Sequence, residues 1–233
     1  MHYPGIADLL NVVVAGLAKE FDSHCAWIDI PIAVIDFETT GFDPEHDRVV
    51  EVGVVCFHRG EHMGTHNWLV NPGRLITEDS TKVHGITDEM VAREPKFNEI
   101  APEVIRVLEG HLPVAYNADF DKGFMLAEMG RAGMRGKMMP PALQPDTKWV
   151  DPLVWVREIQ KEERSKKLSA VCERLGINIE KAHRAWCDAE ATGKVLIALA
   201  DQLPRKYSDL IRVQEQYAAQ QAADRPEWQK RRG

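Results

Sequence analysis

The chain has 233 residues, is 44 % hydrophobic and carries a formal net charge of −7. No apolar run is long enough to span a bilayer, and the acidic balance means that a polyanion would have to be met by a local basic patch or through metal. The length suits one substantial α/β domain with extensions, or at most two small domains, and four cysteines without a CxxC pair (Cys25, Cys56, Cys172, Cys187) read as reduced thiols of a cytoplasmic protein.

The most apolar stretch near the start, LLNVVVAGLA (9–18), lacks the positive flank and cleavage site of a secretion signal and is expected to form a short amphipathic helix. With the polar bridge that follows, it makes residues 1–28 a helical extension. A strand, IAVIDFE, opens the core. RVVEVGVVCFH (48–58) and HMGTHNWLV (62–70), rich in β-branched residues, are predicted to pair as a hairpin around Arg59-Gly60-Glu61. His58, His62 and His66 are spaced by four, but in a hairpin they are exposed polar positions, not a helical metal face. A loop leads to HGITDEMV and to a helix near FNEIAPEVIRVLEG. LPVAYN (112–117) reads as a buried strand running into a helix, ADFDKGFMLAEMGRAG, with Asn117 or Asp119 as its N-cap.

DTKWVDPLVWVREIQ repeats this logic: a strand to Val150, Asp151 as N-cap, Pro152 at the first helical position. In LSAVCERLG, Leu168, Val171, Cys172 and Leu175 follow helical spacing and Gly176 ends the run. A helix from about Cys187 to Leu203 stops at Pro204. YSDLIRVQEQYAAQQAA is a last helix before a polar tail, so residues 204–233 form a C-terminal helix and tail. The basic runs KEERSKK, EKAHR and QKRRG are read as solvated faces. The element order points to a mixed sheet covered by helices.

Asp36 and Glu38 break an apolar strand. Being two apart, they project from the same face at the strand's end, where they either meet water or hold a cation. Chemistry in open α/β sheets gathers at the carboxyl ends of strands, which adds Asp119, Asp121, Asp151 and Asp188. Asp151 is read as a cap, Asp119 as a cap alternative, and Glu51, inside VVEVGVV, as facing solvent or a polar neighbour. Spacing alone makes a metal site plausible and leaves its ligands open.

DFETTG, VHGIT, YNADFD and HRAWCD, in this order, closely resemble the motifs of the DnaQ-like 3′–5′ exonucleases of the DEDDh subgroup, over roughly residues 32–202. The resemblance implies a ribonuclease H-like fold on a five-stranded mixed sheet, with residues 29–203 as the exonuclease domain. It implies Asp36, Glu38, Asp121 and Asp188 as ligands of two divalent ions, and His183 as general base; Asp119 falls on a variable position. It also places Thr39 and Gly41 near the terminal nucleotide and Phe42, Val83, His84 and Ile86 where they stack on or wedge against its base; for Phe42 and Val83, core packing is the alternative.

All-carboxylate ligation suits Mg²⁺ or Mn²⁺, and two such ions about 3.5–4 Å apart clamp both oxygens of a phosphoryl displacement. His183 and Asp188, five apart, would stand ~140° apart on one helix, so His183 belongs to the loop before it. The expected reaction is hydrolysis of the 3′-terminal phosphodiester of nucleic acid, DNA in a proofreading role, releasing nucleoside 5′-monophosphates. The alternatives are an RNA trimmer of the ribonuclease T or oligoribonuclease kind, separated by tolerance of the 2′-hydroxyl, and a non-catalytic polymerase-associated subunit, which a complete acid set argues against. The terminal helices permit docking to a DNA polymerase subunit or a second copy of this chain; no membrane partner is expected.

Overall fold

A computed structural model describes residues 16–179 and 183–224. Its sheet has the order β3-β2-β1-β4, with β1 over Ile32–Thr39, β2 over Val49–His58, β3 over Glu61–Leu69 and β4 over Leu112–Val114. β1 runs antiparallel to β2 and parallel to β4, as a mixed sheet should. The hairpin turn is the predicted one: Arg59 (φ 53°) and Gly60 (φ 81°) are both left-handed, the geometry that matches the twist of the two flanking strands.

Four strands stand where five are expected. The fifth is reduced to one parallel bridge, Val114 to Val150, through Val150 N–H to Pro113 C=O (3.0 Å) and Ala115 N–H to Val150 C=O (3.1 Å). It cannot lengthen in either direction. Upstream, Lys148 N–H is engaged by the carbonyl of Gly16 (2.7 Å). Downstream, Asp151 and Pro152 already start a helix. LPVAYN is likewise strand only to Val114, because Asn117 turns the chain left-handed (φ 71°).

The helices are α1 Glu78–His84, α2 Asp88–Val91, α3 Phe97–Leu108, α4 Ala118–Arg131, α5 Pro152–Ile159, α6 Leu168–Leu175, α7 Ala185–Ala198 and α8 Tyr207–Ala223. α1 falls in a segment read as loop; its polar sequence hides it, and Thr77 caps it by accepting from Ser80 N–H (3.2 Å). α7 begins two residues before Cys187, since Arg184 is its N-cap, and gives way at Leu199 to a short 3-10 turn.

Alternate residues of β1 feed two cores, as the two-residue period of a strand requires. Ile32 and Val34 pack with Val55, Phe57 and the inner faces of α5 to α8. Ala33, Ile35 and Phe37 pack with Val52, Val54, α3 and α4. The sheet is thus covered on both faces, and β2 is buried almost throughout.

Of the helix expected over 9–18, residues 9–15 lie outside the described residues and Gly16, Leu17 and Ala18 are not helical; the tail from 225 also lies outside them. The described flanks join each other and the core. Trp27 N–H donates to Arg205 C=O (3.0 Å), Tyr207 N–H to Cys25 C=O (3.0 Å) and Ser208 N–H to Ser23 C=O (2.9 Å). Leu17, Trp27 and Ile30 share a cluster with Tyr207, Leu210 and Ile211. Among the described residues, no helix is long and apolar enough to cross a membrane.

Candidate metal centre

Asp36 lies opposite Gly53 in the β1–β2 ladder, and Glu38 opposite Glu51. The first turn of α7 comes down onto this spot because residue 53 has no side chain: a Cβ there would sit 2.3 Å from the backbone of Ala185 and Trp186. That approach delivers Asp188. One carboxylate oxygen from each of Asp36, Glu38 and Asp188 lies within 4.8 Å of the other two, a group able to hold a metal ion. Two of the four acids singled out thus meet from β1 and a third from α7.

Asp121, the fourth, is buried in the first turn of α4 and stands outside that trio. Its Oδ1 accepts from Phe37 N–H (3.1 Å), the residue between Asp36 and Glu38. All four carboxyls are held above the usual carboxylate range, in each case first by burial. For Asp36 the charges of Asp121, Asp188, Glu38 and Glu51 add to it. Glu38 is pushed up to about 8 by burial, then by Asp188 and Glu51, with Arg184 opposing. For Asp188, the His183 N–H bond (3.0 Å to Oδ2) and the imidazole's charge pull back. A cluster whose protons are this hard to remove in the absence of a counter-charge has the donor chemistry of a divalent-cation site: hard oxygens, mutually repelling.

Glu51 does not face solvent. It is fully buried, and the polar neighbour is Arg184, whose Nε donates to both carboxylate oxygens (3.0 and 3.1 Å) with Nη2 bonding Oε1 as well. Ala185 N–H (3.0 Å) and Asn67 Nδ2 (2.9 Å) complete the shell. This fifth acid ties the start of α7 to β2 beside the site. Sequence reading missed the pair; its one signal was an acid in a strand with no polar face, and an arginine next to the motif histidine.

Asp151 does more than cap α5. Besides Leu153 N–H (2.8 Å), it accepts from Asn117 N–H (3.0 Å) and Ala118 N–H (3.1 Å), so it also holds the start of α4 from the segment that bridges to β4. Asn117 occupies the N-cap position without a side-chain cap bond, and Asp119 is exposed.

His183 lies in the loop before α7, exposed, with a left-handed backbone (φ 64°). Thr39 Oγ1 donates to Gly41 C=O (2.5 Å) at the strand's exit. Phe42 (88 % exposed) and Val83 (55 %) project from the surface, Phe42 with its ring centroid 6.4 Å from that of Phe120. His84 is buried and receives Ile86 N–H on Nδ1 (3.0 Å). Ile86 is not available to a base: it is fully buried with Val50, Ile76 and Val91. The hairpin histidines are dispersed: His62 meets Thr65 Oγ1 (2.9 Å), His66 stacks on Trp68, and His58 meets the Asp29 carbonyl (3.2 Å).

A mixed sheet flanked by helices, with acids converging at the exit of its first strand, is the ribonuclease H-like architecture. Residues 33–196 match the RNase T exonuclease family, and the chain belongs to that family. It is 32 % identical over 201 residues to the PolC-type DNA polymerase III of Thermotoga maritima, covering 86 % of this chain and 14 % of that protein. It is also 32 % identical over 203 residues to the DNA polymerase III subunit epsilon of Haemophilus influenzae, covering 81 % of this chain and 77 % of the subunit. This chain therefore spans a small part of the PolC-type relatives. Exonuclease X in complex with 5′-overhanging duplex DNA superposes with a TM-score of 0.60 at 21 % identity, covering 78 % of this chain and 99 % of the other. The nuclease domain of 3′hExo, a DEDDh family member bound to rAMP, does so at 0.61 and 20 %, covering 74 % and 92 %. Family and acidic cluster together imply dependence on a divalent metal.

Proposed function

We propose that this chain is a 3′–5′ exonuclease that removes nucleoside 5′-monophosphates from the 3′ end of DNA, with Mg²⁺ or Mn²⁺ held by Asp36, Glu38, Asp121 and Asp188. The observation that carries the reading is the approach of three carboxylates from β1 and α7 within 4.8 Å, inside a family of exonucleases. Two bound ions supply neutralisation of the phosphate and stabilisation of the attacking and leaving oxygens. His183, on its loop, takes the proton from the attacking water, a task suited to an imidazole near neutral pH; its main-chain N–H, bonded to Asp188, sets its place beside that ligand. Thr39 and Gly41 border the terminal nucleotide. Phe42 and Val83 offer exposed apolar surface for a base of any identity.

The DNA assignment is supported by the polymerase relatives at 32 % identity, which also suggest a polymerase subunit as partner; self-association is the other arrangement the terminal segments permit. We take 29–203 as the catalytic unit, with 1–28 and 204–233 as its flanks. Buried thiols outside any disulfide, Cys56 and Cys172, suit the cytoplasm.

The test is a product ladder from 5′-labelled DNA and RNA oligomers of one sequence, matched or mismatched at the 3′ end, with Mg²⁺. Asp36→Ala and Asp188→Ala are expected to abolish shortening with an unchanged circular dichroism spectrum. Near-normal turnover by either variant overturns the site, and shortening of RNA alone overturns the DNA assignment.

A further inference from the structure

Strand geometry leaves a question at the reduced fifth strand. Val150 turns its own N–H and C=O inward, to Pro113 and Ala115. Successive residues of an extended chain point these groups to opposite sides, so Trp149 C=O and Asp151 N–H face outward, where a further strand would pair with them. No further strand pairs there among the described residues. The position is filled by one side chain of α8. Gln214, 3 % exposed, accepts from Asp151 N–H through Oε1 (2.8 Å) and donates from Nε2 to Trp149 C=O (2.8 Å). A primary amide offers the same donor and acceptor as a peptide unit, and here it closes the sheet edge as a neighbouring strand would.

The contact leads to the metal centre in three further steps. Asp151, fixed at its N–H by Gln214, accepts from Asn117 and Ala118 N–H with its carboxylate and so holds the start of α4. The first turn of α4 carries Asp121. Asp121 accepts from Phe37 N–H, between Asp36 and Glu38. α8 begins at Tyr207, beyond the 33–196 span of the family match, so this support comes from outside the matched domain.

We propose that Gln214 is a positioning residue for the nuclease site: through Asp151 and the start of α4 it sets the Asp121 carboxylate, so that α8, in the flank beyond residue 203, supports the catalytic unit from outside. The inference rests on Asp121 acting as a metal ligand, as proposed above. A structural role alone would lower stability and leave the site's affinity for metal untouched.

The experiment compares the full chain with Gln214→Met, Gln221→Met and Asp121→Asn, at a temperature where each is folded. Gln221 is the control: one heptad along α8, it donates to Val154 C=O (3.0 Å) and Glu158 Oε1 (2.9 Å) on α5. Outer-shell losses of this kind typically cost about 10–100-fold in metal affinity or activity. Gln214→Met is therefore expected to lower kcat about tenfold and weaken Mn²⁺ binding, followed by calorimetry, by a similar factor, with KM for the oligonucleotide within about twofold. Amide exchange at Asn117 and Ala118 should quicken in parallel. Gln221→Met should lose stability and leave kcat and Mn²⁺ affinity unchanged. Should Gln214→Met fail to fold, Gln214→Glu, which keeps the acceptor for Asp151 and loses the donor to Trp149, carries the same measurements. Normal kcat and Mn²⁺ affinity in the folded Gln214 variant, or equal losses in both glutamine variants, overturn the proposal. An active Asp121→Asn protein overturns instead the ligand role on which it rests.

Discussion

The metal centre predicts that the metal-free protein loses stability as pH rises through neutrality. Burial, with Asp188 and Glu51 nearby, raises Glu38 from an ordinary 4.5 to about 8. Between these values the folded state keeps a proton that the unfolded chain has released, so the folded state binds more protons and its stability falls with increasing pH. The rise corresponds, at about 1.4 kcal/mol per tenfold change, to an upper bound of about 5 kcal/mol. Relaxation and water entry lower it, and about 2–4 kcal/mol is the working expectation, or roughly 5–15 °C in Tm for a chain of this size. The assay is thermal unfolding in EDTA from pH 5 to 8.5, comparing the natural chain with Glu38→Gln. The natural chain should fall relative to the variant across that window. Adding Mg²⁺ at pH 8.5 should restore most of the difference, because the cation binds the ionised form. Parallel pH profiles for the two proteins would refute the reasoning, since Glu38 would then ionise as freely folded as unfolded.

Two further substitutions test the acids that hold the site in place. Glu51→Leu strips the Arg184 guanidinium and Ala185 N–H of their acceptor; the arginine is about a third exposed, so a loss of about 2–4 kcal/mol in urea unfolding is expected, at or below the cost of breaking a fully buried pair. A loss under about 1 kcal/mol, within the range of exposed pairs, would show that the pair does not tether α7. Asp151→Ala removes the acceptor of three main-chain N–H groups, and the same assay should read about 2–4 kcal/mol, beyond the ~1 kcal/mol of a single lost cap; a single-cap value would mean that α4 does not depend on it.

What the sequence makes legible is whatever repeats at a short period or carries a fixed motif. The alternation in IAVIDFE places Asp36 and Glu38 on one face, and the pair Asp151-Pro152 marks a helix start. Once the resemblance gives His183 and Asp188 one site, helical geometry removes His183 from the helix of Asp188, and it is found in the loop. The hairpin turn follows from Gly60. What stays hidden depends on contacts distant along the chain. Glu51 and Arg184 are 133 residues apart, and no local pattern tells that a strand acid will meet a loop arginine rather than water. Asn117 is the N-cap residue of α4 but makes no side-chain cap bond; the carboxylate that accepts from its N–H and that of Ala118 is Asp151, 33 residues beyond Ala118, which no local pattern indicates. Ile86 sits in a motif beside exposed Val83, yet the left-handed Gly85 turns it inward to Val50 and Val91. The fifth strand fails because both neighbours of its one bridge are already committed, to Gly16 upstream and to a helix downstream.

These particulars explain how the fold tolerates so many part-buried and buried acids. Three acids outside the trio are matched by several donors: Glu51 by Arg184, Ala185 N–H and Asn67, Glu128 by the fork of Arg48 (2.7 and 3.0 Å) and by Arg131, Asp151 by three main-chain N–H groups. Such acids hold elements together through these bonds. Asp36, Glu38 and Asp188 are drawn together instead, and their carboxyls resist ionisation. Glu38 and Glu51 show the division most sharply, since they are direct cross-strand partners, an arrangement that like charges ordinarily disfavour. Arg184 forms its hydrogen bonds with Glu51 and acts on Glu38 only through its charge, too weakly to offset burial, Asp188 and Glu51. The position of one guanidinium thus decides whether a strand acid serves the fold or the chemistry.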